Sequence, residues 1–270
     1  MAEPMIDLLE AVWNSTIDLG SLLTEDEWKQ PTDLPGWTVQ DNFSHIIGTE
    51  LMMRGEPTPD ATPTSTDHVR NPIGEVNEVW VASRRDRSGA EVLDEFRALA
   101  TSRLAEYRAL TPAQLDEMGP TPVGMAPFRT FIAVRVMDCW AHEQDVRRAV
   151  GRPGHLAGPV VDHSLTRVAL ALPMVVGKRA GAPDGSSVVF VVEPIDGDAV
   201  IVPVVVDGRA AVVDTVPGDA TVTLTMDVET YAALGFGRWD PDETLAGGRI
   251  AVEGDEELGR AVVRGMNFMI

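Results

Sequence analysis

Asp138, His142 and Asp145 stand four and three residues apart in the stretch FIAVRVMDCWAHEQDVRRAVG, residues 131–151. No proline interrupts that stretch and its first glycine is Gly151, so it reads as one helix. Residues three and four apart share a helix face. A carboxylate, an imidazole and a second carboxylate therefore form one stripe, beside the apolar side chains of Met137, Cys139, Trp140 and Val146. Two chemistries fit such a stripe. One is a divalent metal site, because imidazole nitrogen and carboxylate oxygen both suit zinc. The other is a buried ion-pair network with Arg135 or Arg147. A metal site in a helical bundle draws ligands from facing helices, so the first reading asks for a ligand elsewhere. Of the five histidines, His45 is the best candidate, giving the trio His45, Asp138 and His142.

Other chemistries are poorly supported. The sequence has no GxGxxG or P-loop pattern for a nucleotide and no GxSxG elbow for a nucleophilic serine. HEQDV at 142–146 lacks the second histidine of a zinc-protease helix, since position 146 is Val. Cys139 follows Asp138 directly, but neighbours on a helix point about 100° apart. It reads as a small buried apolar residue.

The positioning elements follow from periodicity and punctuation. Residues 4–24 carry an apolar stripe of Leu8, Leu9, Val12, Leu19, Leu22 and Leu23, predicting an amphipathic helix. Thr24 and Glu27 have capping-box spacing, and PTDLPGW at 31–37 is a stiff loop. Thr38 and Asp41 predict the N-cap of a helix over 38–53, with His45 in its middle. Four prolines between 55 and 74 predict a long loop. Helical patterns follow at 75–86 and 89–109, and 111–128 is broken by proline and glycine. Residues 159–180 predict one more helix, kinked at Pro173. Beyond Gly185 the pattern turns to short Val-rich strands at 187–192, 199–206, 210–213, 220–226 and 249–252, with helices at 227–234 and 255–263. The expectation is an α+β chain of two domains, a helical bundle over 1–182 and a small α+β domain over 183–270.

The net charge is −20, which repels phosphate backbones and argues against nucleic acid as a partner. The densest basic run, Arg84, Arg85 and Arg87, is interrupted by Asp86 and reads as a solvated helix end. One cysteine allows no internal disulfide and suits a reducing compartment. The acidic start MAEPMIDLLEAVW is unlike a secretory signal, and no apolar run approaches the ~20 residues that span a bilayer. A cytoplasmic protein without a membrane partner is expected.

Three segments carry a resemblance: WKQPTDLPGWTVQDNFSHIIGTE (28–50), HVRNPIGEVNEVWVASRR (68–85) and RVMDCWAHEQDVRRAVGRPG (135–154). With them the chain resembles the mycothiol-dependent maleylpyruvate isomerase family, whose N-terminal domain is a DinB-like four-helix bundle. The resemblance implies metal ligands at His45, Asp138 and His142. The founding isomerases carry Glu at the acidic position, one methylene longer than Asp138. ATVTLTMDVETYAALGFGRWDP followed by GGRIAVEGDEELGRAVV, within 220–263, is similar to the family's sterol-carrier-like C-terminal domain.

The activity implied is a metal-dependent, mycothiol-dependent thiol S-transferase or isomerase acting on a small electrophile. Zinc is the implied metal and mycothiol the cosubstrate, because no cysteine of the chain is a suitable nucleophile. Arg238, in the GRWDP loop, and Arg84 are the candidate cations for an anionic substrate or the sugar thiol. The alternatives are a non-catalytic metal- or small-ligand-binding sensor of the same fold, and an apolar-ligand carrier using the C-terminal domain.

Overall fold

Thr38, Asn71 and Ser88 cap three helices of the first half of the chain. The computed structural model describes residues 3–121 and 124–269. Helix α1 (Pro4–Gly20) opens on a proline in its first turn, where the missing N–H costs nothing. Helix α2 (Val39–Arg54) starts at the expected capping box. Thr38 Oγ1 accepts from the Asp41 N–H, Asp41 Oδ2 accepts from the Thr38 N–H, and left-handed Gly55 (φ 90°) closes the far end. Asn71 caps α3 (Pro72–Ala82), and Ser88 with Glu91 forms the capping box of α4 (Gly89–Arg108). A hairpin of β1 (Met118–Thr121) and β2 (Gly124–Pro127) leads directly into α5 (Phe128–Ala149). This hairpin lies where proline and glycine predicted only a broken segment.

Four long helices make the core of the first unit. α1 packs on α4 and α5, and α2 packs on α3, α4 and α5. Trp13 from α1 meets Phe96 of α4 edge-on at 6.1 Å, and its indole N–H points at the Cys139 sulfur of α5, 3.3 Å away. α2 is the innermost helix. Every residue from Val39 to Gly48 is buried, including Gln40, Asp41, Asn42, Ser44 and His45. Gly48 is required where α2 meets α3, because a Cβ there would come within 2.5 Å of the Trp80 Cβ.

The chain divides into two units at Met1–His155 and Leu156–Ile270, not at the expected 182/183 boundary. The 159–179 segment belongs to the second unit through its own contacts. Helix α6 (Pro159–Ala169) packs on α7 (Val228–Gly235), and the turns that continue it pack on the sheet and on α8 (Glu256–Gly265). Pro173 does break it: a short turn at Leu172–Met174 is followed by a π-helical turn at Val175–Arg179. The 21 residues Pro159–Arg179 are long and apolar enough, at mean hydropathy 1.3, to pass for a membrane span by length and composition. The sequence reading expected no such run. Half of it is buried within the protein.

The second unit is built on a five-stranded sheet. Its strands are β3 (Ser187–Glu193), β4 (Val200–Asp207), β5 (Arg209–Val212), β6 (Val222–Asp227) and β7 (Ala251–Gly254), in the order β5-β4-β3-β6-β7. β3 and β6 run parallel and every other pair is antiparallel. Alternate residues Val188, Phe190, Val192, Val204, Leu224 and Met226 are buried, as the two-residue period of a strand demands. The overall class is the α+β expected.

Candidate metal centre

Helices α2 and α5 bring three side chains to one point. One ligand atom each from His45, Asp138 and His142 lies within 4.8 Å of the others. His45 comes from the middle of α2. Asp138 and His142 lie one turn apart on α5, so the four-residue spacing places both on the face toward α2. His45 Nε2 stands 3.5 Å from one Asp138 oxygen, and His142 Nε2 stands 3.6 Å from the other. The imidazole centroids are 4.6 Å apart. These separations are long for hydrogen bonds. The two nitrogen–oxygen separations match the roughly 3.3–3.6 Å between ligand atoms that surround a tetrahedral zinc at about 2.0–2.2 Å. The donor set and its spacing therefore fit a divalent metal, and three protein ligands leave a position for an incoming molecule.

The surroundings hold each ligand in place. Arg135 Nη1 donates to Asp138, while its Nε donates to Glu50 Oε1 at 3.0 Å. Glu50 is fully buried and also accepts from Tyr107 and from Arg103 Nε. Burial works to raise the Asp138 carboxyl, but the Arg135 charge and the two imidazoles hold it well below the usual range. Burial pushes His45 down to about 4. Burial also opposes protonation of His142, yet the neighbouring carboxylates of Asp138 and Asp145 outweigh it and raise that group. His142 Nδ1 lies 2.8 Å from Asn42 Oδ1 and 3.4 Å from Asp145 Oδ2. Asp145 is in turn bound to Arg148 at 2.6 Å. Thus Asp145 acts behind His142 and is paired with an arginine.

Trp37, from the stiff loop, packs on both imidazoles, with centroids 5.3 Å from His45 and 5.8 Å from His142. Its indole N–H donates to Glu78, which also pairs with His68 and Arg85. Gly36 and Thr38, on either side of Trp37, line a cavity of about 290 Å³ with Lys29, Gln40, His68 and Arg85. The loop thus touches the trio on one side and this cavity on another.

The basic run departs from expectation. Arg84 is buried, with Nε and Nη2 on the Glu95 carboxylate and Nη1 on the Trp80 carbonyl and Ser83 hydroxyl. Its donors are spent on holding α3 to α4, which removes it as a substrate contact. Arg85 pairs with Asp41 and Glu78, and Arg87 with Glu95. The run is therefore a set of interhelical clamps and not a solvated helix end. Arg238 belongs to the second unit, half-buried, with Nη1 donating to the Phe236 carbonyl at 2.7 Å. Cys139 is fully buried, and burial pushes its thiol up to about 12. Asn42, Glu50 and Trp37 were not singled out from the sequence. Only Trp37, an aromatic inside a Pro-Gly loop beside a helix cap, carried a local signal.

Comparison with known proteins places these features. The sequence pattern of the mycothiol maleylpyruvate isomerase N-terminal domain matches residues 9–147, and that of the SCP-2 sterol transfer family matches residues 179–266. A protein of Mycobacterium tuberculosis described as uncharacterized, found in two strains, is 30% identical over 152 residues. That match spans 55% of this chain and 57% of the relative. The crystal structure of the mycothiol-dependent maleylpyruvate isomerase shares the fold at 17% identity, with a TM-score of 0.58 over 93% of this chain and 92% of that one. A point mutant of that isomerase aligns over the same shares with a TM-score of 0.55.

Proposed function

The chain belongs to the mycothiol maleylpyruvate isomerase family by its N-terminal domain, and from that premise we propose that it is a metal-dependent enzyme using mycothiol as cosubstrate. It joins the thiol sulfur to a small electrophile. Expulsion of the same thiol after bond rotation makes it an isomerase; retention of the carbon–sulfur bond makes it an S-transferase. The observation that carries this reading is the convergence of His45, Asp138 and His142 within 4.8 Å.

These three residues would hold the metal, with zinc as the best match to two imidazoles and a carboxylate. A bound divalent ion supplies Lewis-acid chemistry, lowering the pKa of a thiol that reaches it. Arg135 keeps Asp138 ionised and oriented as a ligand. Trp37 shields one side of the imidazoles from water. Cys139, sealed between α1 and α5, offers no internal thiolate, so the nucleophile comes from outside. Arg238 is proposed as the cation for an anionic substrate group, on the strength of its place in the GRWDP loop.

The test is a thiol-depletion assay with mycothiol and a panel of small electrophiles, including cis-configured unsaturated acids. The reading expects thiol consumption, or isomerisation at constant thiol, that stops in a His142→Ala variant. Metal binding with no turnover against any electrophile would favour the non-catalytic sensor instead.

A further inference from the structure

The two histidines of the trio are held differently. Among the described residues, His45 Nδ1 is buried with no hydrogen-bond partner. His142 Nδ1 has a near partner in Asn42 Oδ1, at 2.8 Å. Asn42 is fully buried and lies three residues before His45 on α2. One turn of one helix thus presents a ligand and a support for the ligand on the facing helix.

The orientation of the Asn42 amide is fixed from behind. Its Nδ2 donates to the Thr38 carbonyl at 2.9 Å and approaches Thr32 Oγ1 at 3.4 Å. A reversed amide would set Oδ1 against the Thr38 carbonyl, two acceptors facing each other, and would lose that bond. The Oδ1 atom therefore faces His142, and only a protonated Nδ1 can bond to it. The rival acceptor, Asp145 Oδ2, is 0.6 Å farther away, and the other oxygen of that carboxylate is engaged by Arg148.

We propose that Asn42 is a positioning residue, its side-chain carbonyl holding His142 with the proton on Nδ1 and Nε2 bare toward Asp138 and His45. The inference rests on the metal reading above. It makes the centre asymmetric: His142 is the ligand set in advance, and His45 is the ligand whose far nitrogen lacks support. A supporting acceptor of this kind raises ligand basicity and fixes ring orientation, and its loss typically costs about 10- to 100-fold in metal affinity.

Zinc affinity of the full chain, by competition with a chromophoric chelator, tests this in wild type, Asn42→Leu, Asn42→Ala and His142→Ala. A loss of about 10- to 100-fold in both Asn42 variants supports the inference; wild-type affinity in either overturns it. Should the Asn42 variants fail to fold, long-range proton–nitrogen NMR of zinc-loaded wild type with labelled histidine decides. A His142 ring protonated on Nδ1 with zinc on Nε2 supports the inference, and zinc on Nδ1 overturns it. The His142→Ala variant separates the two levels. If it binds zinc as wild type does, the metal reading itself fails. If it loses zinc while Asn42→Leu keeps it, only the role of Asn42 falls.

Discussion

The helical unit and the sheet unit bury different things. Among the described residues, the first unit buries Asp41, Asn42, His45, Glu50, Glu78, Arg84, Arg103, Arg135, His142, Glu143 and Asp145. The second buries no charged side chain; its buried polar residues are serines and threonines such as Ser164, Ser187 and Thr230. Buried charges stabilise a fold poorly, because desolvation offsets the attraction, and breaking one pair strands its partner. A stretch that keeps so many of them is organised for chemistry or for a fixed geometry. The core of the sheet unit is organised for packing. The contrast assigns the proposed metal centre to one unit and to one pair of helices, α2 and α5.

The largest expected effect breaks that contrast from the helical side. Glu50→Ala leaves Arg135 and Arg103 without their shared carboxylate, and should destabilise the fold by about 3–5 kcal/mol. Chemical denaturation measures it. Because Arg135 also holds Asp138, zinc affinity should fall in the same variant. The matching change in the sheet unit is Leu224→Ala, a cavity in a dry core, with an expected loss of about 3 kcal/mol. Zinc affinity should be unchanged there, since no ligand comes from that unit. A drop in affinity with Leu224→Ala would blur the division between chemistry and packing.

Two smaller changes sharpen it. Thr38→Ala removes the α2 capping box and should cost about 1 kcal/mol, measured by denaturation. Cys139, with its thiol pushed up to about 12, stays protonated at pH 8. Alkylation needs the thiolate, so native protein should resist iodoacetamide at that pH and react fully once unfolded. Mass spectrometry reads the difference.

Local signals account for what the sequence made legible. The cap at Thr38 and the strands from Ser187 onward follow from residue type and near neighbours. Asp138 and His142 were visible as a pair because helix geometry alone relates them, and His45 joined them by residue type and by family resemblance. Asn42 was not legible, because its partner lies 100 residues away and a polar residue in the first turn of a helix is ordinary. Glu50 was hidden for the same reason, its arginines arriving from α4 and α5. Arg84 misled because charge alone does not reveal a carboxylate on a neighbouring helix. The contact division at 155/156 differs from the expected 182/183 because an apolar helical pattern over 159–180 suits a bundle and a sheet equally well. Only the contacts of α6 with α7 decide it.

The central claim is that His45, Asp138 and His142 form one metal site. Elemental analysis of protein purified without chelator, wild type against His142→Ala, tests it most directly. The account predicts about one equivalent of zinc or a related divalent ion in wild type, lost in the variant. Wild-type protein that takes up no divalent metal at any ratio would contradict it.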